Sequence, residues 1–423
     1  MVSPSRPQRV PSERSIVFLI GAVQFVNILD FMIVMPLGPD FAVALGIPTS
    51  KLGLIGGSYT AAAAVAGLVG SLFLDRFDRR SALAVALSGL VLGTAAGGLA
   101  VGLGTLMAAR LLAGFFGGPA TSLAMSIVAD TIPPARRGRA LGAVMGAFSV
   151  ASVLGVPAGL ELAQRFGWRA PLFAVAGLGL VVNAGAVLLL PPLRGHLYTA
   201  APGSTMGLRS LLARRLVRRS YAMTAVVMMG GFVLIPNISA YLQQNLRYPR
   251  DRLGLLYMMG GLASFISMRL VGRLVDRHGP FRVGTLGCAL LLLVLYTGFY
   301  AYLPGLPVTV LFVSFMVAMS FRNVAYNTLA SRVPGAGERA RFLSIQSAVQ
   351  HVASAAGAFL SAHLLREMPD MRLQGVERIA LLSMLLTALL PLLMHEVERG
   401  VLARERARNE ATPLTGAEDL MSG

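Results

Sequence analysis

The sequence predicts an all-α membrane protein of twelve transmembrane helices in two pseudo-symmetric six-helix bundles. The chain of 423 residues is 55% hydrophobic and 13% charged, with mean hydropathy +0.68, which is more apolar surface than one soluble core can hide. Apolar windows of about twenty residues, the length that carries a helix across a ~30 Å hydrocarbon layer, recur twelve times. A charged turn also occurs twice. Residues 71–80 read SLFLDRFDRR and residues 272–282 read GRLVDRHGPFR, which sets Asp75 and Asp276 201 residues apart.

The polar, basic start, 1–15, leads into a first span at 16–38 without a small-residue cleavage site, so this span reads as a retained helix and not a removed signal. The amino-terminal bundle, 16–193, continues with spans at 51–74, 82–103, 106–129, 140–163 and 170–191. The carboxy-terminal bundle, 220–395, has spans at 220–242, 252–274, 283–303, 307–330, 342–364 and 377–395. Each must be helical, because an open strand leaves backbone groups unpaired in hydrocarbon. Glycine runs such as Gly114-Phe115-Phe116-Gly117-Gly118 suit helices whose backbones approach closely.

The bundles are joined by a linker, 194–219. In its second part Leu208, Leu211, Leu212 and Leu216 alternate with Arg209, Arg214, Arg215 and Arg218 at helical spacing. That pattern predicts an amphipathic helix on an anionic membrane surface, the alternative being a solvated basic linker. The tail, 396–423, is expected to form a short helix that fades into disorder.

A net charge of +18 would suggest nucleic acid in a soluble protein. Here 25 of the 37 basic residues fall on one side of the predicted spans and 9 on the other. That asymmetry puts both termini in the cytoplasm under the positive-inside rule and excludes a nucleic-acid role. The expected setting is a bacterial inner membrane, with the protein a monomer. Cys288 is the only cysteine, so an intrachain disulfide and a cysteine-rich zinc site are excluded. The 20 methionines read as flexible packing and not as a copper path. No cofactor or metal is expected, and no cluster of nucleophile and base suggests an enzyme.

Two six-helix halves, termini on one side, and a D-R-x-G-like turn after the second span of each half together resemble the major facilitator superfamily over nearly the whole chain. The second turn fits through Gly272, Asp276, Arg277 and Gly279. The first keeps Asp75, Arg76, Arg79 and Arg80 but has Ser71 and Asp78 where the family usually has glycine. Arg110 followed by Gly114 resembles the arginine motif of proton-coupled antiporters. Gly155-Val156-Pro157-Ala158-Gly159 is similar to the antiporter glycine-proline motif with its proline displaced by one, and Gly167-Trp168-Arg169 and Pro36-Leu37-Gly38-Pro39 resemble the 12-helix drug and sugar-efflux group. The resemblance implies a secondary transporter that rocks one half against the other. It also implies a cytoplasmic gate at Asp75, Arg76, Arg79, Asp276 and Arg277, where the plainer alternative is positive-inside anchoring alone.

The residues add their own argument. Asp30 is the only acidic residue well inside a span of the first bundle. Counted at 1.5 Å per residue it lies about 21 Å from the cytoplasmic side, and Arg110 lies about 24 Å from it. An unpaired charge at such depth costs on the order of 3 kcal/mol, so the two are expected to meet, directly or through water, and to face one central cavity. A carboxylate so placed can take up and release a proton as its surroundings change; a permanent structural ion pair is the alternative. Gln24 and Asn27 extend a polar stripe along the same helix.

In the second bundle Asn237 and Tyr241 are expected to share a helix face. So are Asn323 and Asn327, near Arg322 and Tyr326, and Gln346 and Gln350, beside His351. These are candidates for a midplane substrate site or for bonds between helices. His351 is a second candidate for the titrating group, since an imidazole changes charge near neutral pH. Arg110 and Arg322 outnumber Asp30 among the deep charges, which makes an anionic or zwitterionic substrate worth testing. The reading is a proton-coupled exporter of small organic molecules. The alternatives are an importer or symporter of an organic anion or sugar, and a receptor or scaffold that moves nothing.

Overall fold

A helix in hydrocarbon satisfies its own backbone, and the apolar windows become long helices with short connections. The computed structural model describes residues 12–194, 208–335 and 338–410. The first bundle contains α1 (Glu13–Ile33), α2 (Leu52–Phe73), α3 (Arg79–Gly98), α4 (Leu103–Thr131), α5 (Arg136–Phe166) and α6 (Arg169–Leu189). The second contains α7 (Arg215–Asn245), α8 (Leu253–His278), α9 (Pro280–Tyr300), α10 (Val308–Ser331), α11 (Arg339–Leu364) and α12 (Val376–Glu410). All but α11 are apolar enough to cross a bilayer by composition. α11 is long enough at 26 residues, but Gln346, Gln350, His351 and His363 dilute it.

The pairing of helices repeats between bundles. α2 packs on α4 and α3 on α6, as α8 packs on α10 and α9 on α12. Between the bundles α2 lies along α11 and α5 along α8, pairs that exchange under the internal two-fold. Close approach rests on glycine. A side-chain carbon on Gly53 would stand 2.1 Å from the Ala358 carbonyl oxygen, and one on Gly57 2.5 Å from the Phe359 ring. On the other seam, one on Gly261 would stand 2.9 Å from the Ser152 carbonyl oxygen.

The regular helices are interrupted where proline forbids continuity. Pro236 lacks the amide that an unbroken α7 needs, so the helix stops at Phe232 and resumes through a 3-10 turn at Ile235–Asn237 and a π-turn at Tyr241–Asn245. α1 stops at Ile33 ahead of Pro36, and a short helix, Gly38–Leu45, follows. In α5 a π-turn at Ala151–Gly155 directly precedes Pro157, as expected where one carbonyl loses its donor.

We call the side where α1 begins and α12 ends the terminal face, and the opposite side the far face. The bundles are fastened at the far face. Arg250 grips Asp40 through Nε at 2.7 Å and Nη2 at 2.6 Å. Ser239 donates to the Pro36 carbonyl at 2.9 Å. Glu367 accepts from both the amide and the hydroxyl of Thr49, capping the turn that opens α2 from across the seam. At the terminal face Arg79 bonds Asp130 and Arg219 bonds Glu396, each within one bundle.

Two expectations change, and two further details appear. The linker helix predicted over 208–219 is shorter: a helix at Leu208–Ala213 ends where Arg214 turns extended (φ −71°, ψ 121°), and Arg215, Leu216 and Arg218 belong to α7. The extended turn lets Arg214 bond Glu338 at 2.8 Å. The tail's helix is continuous with the last span, because no proline lies between 395 and 410 and Gly400 is held inside the helix, and α12 runs 35 residues. The chain is not wholly α: β1 (Arg366–Glu367) and β2 (Leu373–Gln374) pair antiparallel at the far face. The Asn245 amide anchors this hairpin through both the N–H and the carbonyl of Leu373. Finally, the two charged turns differ. Gly279 ends α8 at φ +84°, a conformation that favours glycine, whereas Asp78 sits at φ −56° and caps α3. The calls on 1–11, 195–207 and 411–423 lie outside the described residues.

Candidate functional site

Asp30 and Arg110 meet. They are 0% and 2% exposed, and the guanidinium Nη1 donates to both carboxylate oxygens at 3.0 and 3.1 Å. Thr94 of α3 donates its hydroxyl to the same carboxylate at 2.7 Å. Tyr59 of α2 places its ring 4.6 Å beneath the guanidinium and donates its hydroxyl to the Asn27 oxygen at 2.9 Å. Asn27 in turn donates to the Gly117 carbonyl at 2.8 Å and to Thr121 at 2.6 Å. α1, α2, α3 and α4 each supply a group, and the network forms only because α2 and α4 touch. A side-chain carbon on Gly114 would stand 2.2 Å from the Tyr59 carbonyl oxygen, and one on Gly117 2.3 Å from its hydroxyl.

The direct contact follows the expectation, but the surroundings differ. The ion pair does not line an open cavity. It is sealed inside the first bundle, with a small apolar void of Val34, Leu37, Leu106 and Leu172 against Arg110. The reason is steric: with α1 leaning on α4 and Phe31 on Tyr59 at 5.1 Å, no gap remains beside the carboxylate. Gln24 is buried, and its amide oxygen has no partner.

The second bundle brings together part of the predicted set. Arg322 is buried with long bonds of 3.4 and 3.3 Å to the Asn323 oxygen. Asn327 donates to the Asn323 carbonyl at 2.9 Å, so the two share a face as expected. Gln350 donates to the Tyr326 hydroxyl at 3.1 Å, while the Gln346 oxygen is buried without a partner. His351 is half-buried on the same helix. Asn237 and Tyr241 take partners on different helices. Asn237 donates to Ser361 of α11 at 2.9 Å and Tyr241 to the Gly298 carbonyl of α9 at 2.6 Å.

At the charged turns, the side chain of Asp75 lies outside the described residues, and Arg76 is exposed. Arg79 is tied to Asp130 within the first bundle. Asp276 and Arg277 are exposed, and the carboxylate that engages the second turn is Glu398, which accepts from the Phe281 amide at 3.2 Å. Asp78 accepts from the amides of Leu193 and Arg80 and from Arg194. Burial alone would raise its carboxyl, but these donors together hold it below the ordinary value of 3.8.

Sequence reasoning missed Tyr59, Thr94, Phe31 and Phe232. The last two meet across the seam, ring centres 6.0 Å apart. A signal existed: they are 201 residues apart, the offset that relates Asp75 to Asp276, and residues on a two-fold axis touch their own repeats.

Two six-helix bundles about an internal two-fold, with charge buried at mid-depth, define a membrane transporter and not an enzyme. The sequence pattern of the Major Facilitator Superfamily matches residues 20–358, and the chain belongs to that family. It is 25% identical over 261 residues to the uncharacterized MFS-type transporter YtbD of Bacillus subtilis (strain 168), an alignment that covers 62% of this chain and 63% of YtbD. It is 29% identical over 354 residues to the chloramphenicol resistance protein of Streptomyces lividans, covering 81% of this chain and 87% of that one. Its fold is similar to the crystal structure of a D-xylose-proton symporter, with TM-score 0.73 and 19% identity over 90% of this chain and 97% of that one.

Proposed function

We propose that the protein is a proton-coupled exporter of small organic molecules in the bacterial inner membrane, with both termini cytoplasmic and the monomer as the working unit. The observation that carries the coupling is the Asp30–Arg110 pair with its Thr94 donor. A carboxylate held by one cation and one hydroxyl, away from water, changes its proton affinity if any of the helices α1, α3 or α4 shifts. Opening the seam beside Phe31 admits water and moves Tyr59, which loosens the guanidinium; closing it restores the pair. Protonated Asp30 no longer holds Arg110, and that difference between states is what coupling requires. The export direction is supported by the likeness to the chloramphenicol resistance protein.

The site residues divide by role. Asp30 takes up and releases the proton, and Arg110 holds its charged form. Arg322, Asn323, Tyr326, Asn327, Gln346, Gln350 and His351 supply the substrate side in the second bundle, with 16–193 and 220–395 as the moving halves. Asp75, Arg76, Arg79, Asp276 and Arg277 act as a latch at the terminal face. The exposure of Asp276 and Arg277, together with the bonds at the far face, suits a state closed to the outside with that latch released.

The test is reconstitution in proteoliposomes with an internal pH dye. Candidate substrates should drive proton flux through the wild type. Asp30→Asn should retain substrate counterflow and lose gradient-driven accumulation. Full gradient-driven transport by Asp30→Asn at normal protein levels would overturn the reading.

A further inference from the structure

The second bundle carries a guanidinium with no carboxylate to answer it. Arg322 is 2% exposed, and its hydrogen bonds are the two long ones to the Asn323 oxygen. Every carboxylate between residues 220 and 395 lies in a connection or near a helix end. The first bundle meets the same problem by setting Arg110 on Asp30. A shift of 201 residues takes Asp30 to Gly231, and Arg322 lies there: a side-chain carbon on Gly231 would stand 3.6 Å from Nη2. The position that holds the counter-charge in one bundle has no side chain in the other.

We infer that Arg322 anchors an anionic group of the transported molecule, and that the molecule's flat apolar body lies against Phe31 and Phe232. This deepens the transporter reading and rests on it. A guanidinium at membrane depth costs on the order of 3 kcal/mol when unpaired, and a carboxylate or sulfonate on the substrate removes that cost through a planar two-point bond. Asn323, which meets the guanidinium, is half-buried, and Asn327 one turn on is exposed. Phe232 follows Gly231 in the chain and is half-buried, as is Phe31 opposite. Among the described residues theirs is the ring contact that crosses between the bundles. A molecule with its charge on Arg322 therefore has its body under two aromatic faces, one from each moving half. The substrate class is an aromatic or similarly flat organic anion, and a cation is repelled.

The test measures binding without a proton gradient, so it can fail while transport stands. Purified full-length protein in detergent is melted with matched pairs of one-, two- and three-ring aromatic carboxylates and their primary amides. At least one carboxylate should raise the melting temperature and bind tenfold or more tighter than its amide. Arg322→Gln should abolish that preference, and Arg322→Lys should keep part of it. Phe232→Ala should weaken the carboxylate and its amide alike. The inference is overturned if no carboxylate outdoes its amide, or if the preference survives in folded Arg322→Gln.

Discussion

Asp78 does with its side chain what Gly279, its repeat partner, does with its backbone. One caps a helix at φ −56°, the other reverses the chain at φ +84°. Because donors hold the Asp78 carboxyl below 3.8 when folded, its contribution is present above the unfolded value and lost as the pH falls through the folded one. Asp78→Asn should therefore melt lower than the wild type at neutral pH, since asparagine keeps the cap but loses the charge that holds Arg194, and the gap should narrow as the pH falls below about 4. Melting curves across pH 3 to 7 measure it. At this scale the charges and their pairing with each other were legible in the sequence, and the neutral groups around them were not. Asp30 and Arg110 declared themselves as ions in hydrocarbon. Thr94 and Tyr59 are ordinary helix residues whose role exists only once α2, α3 and α4 are in contact.

The helices themselves were legible because length and hydropathy dictate them, and α11 was found even though amides and histidines dilute it. What was not legible is where each helix gives way. Pro236 and Pro157 mark the breaks, yet the π-turns beside them and the unlike partners of Asn237 and Tyr241 follow from packing. The hairpin at Arg366–Gln374 was hidden because its two-residue strands carry no alternating pattern. Glycines at the seam carry a sharper consequence. Gly53→Ala would push a methyl to within 2.1 Å of the Ala358 carbonyl oxygen, a backbone atom that cannot step aside. The variant should wedge α2 from α11 and open the far face. Gln244 is half-buried at the far face, where it accepts from the Thr49 hydroxyl at 3.0 Å; labelling of Gln244→Cys by an impermeant maleimide should rise several-fold in that background, with Cys288, 1% exposed, contributing little.

For the molecule as a whole, the repeat at 201 residues gave the architecture before any coordinates. It also explains why Phe31 meets Phe232 and why α2–α11 mirrors α8–α5. The repeat explains only part of the far-face fastening: Thr49 and Arg250 are 201 residues apart and each meets a carboxylate of the opposite bundle, Glu367 and Asp40, but those two carboxylates are not repeats of each other. Partly buried at 25% and 23% exposure, the Asp40–Arg250 pair contributes about 1 kcal/mol, enough to shift two states several-fold. Asp40→Asn and Arg250→Gln should each raise the Gln244→Cys labelling, and the exchange Asp40→Arg with Arg250→Asp should bring it back toward the wild type. An exchange no better than either single change would mean that the pair does not hold the far face closed.

The carboxylate of Glu367 completes the first turn of a helix that belongs to the opposite bundle. Whenever the bundles part at that end, the amide of Thr49 loses its acceptor and meets solvent, then regains its cover on reclosure. Its deuterium uptake is thus a native stroke counter, readable by mass spectrometry in the unlabelled protein and set by how often the far-face seam comes undone.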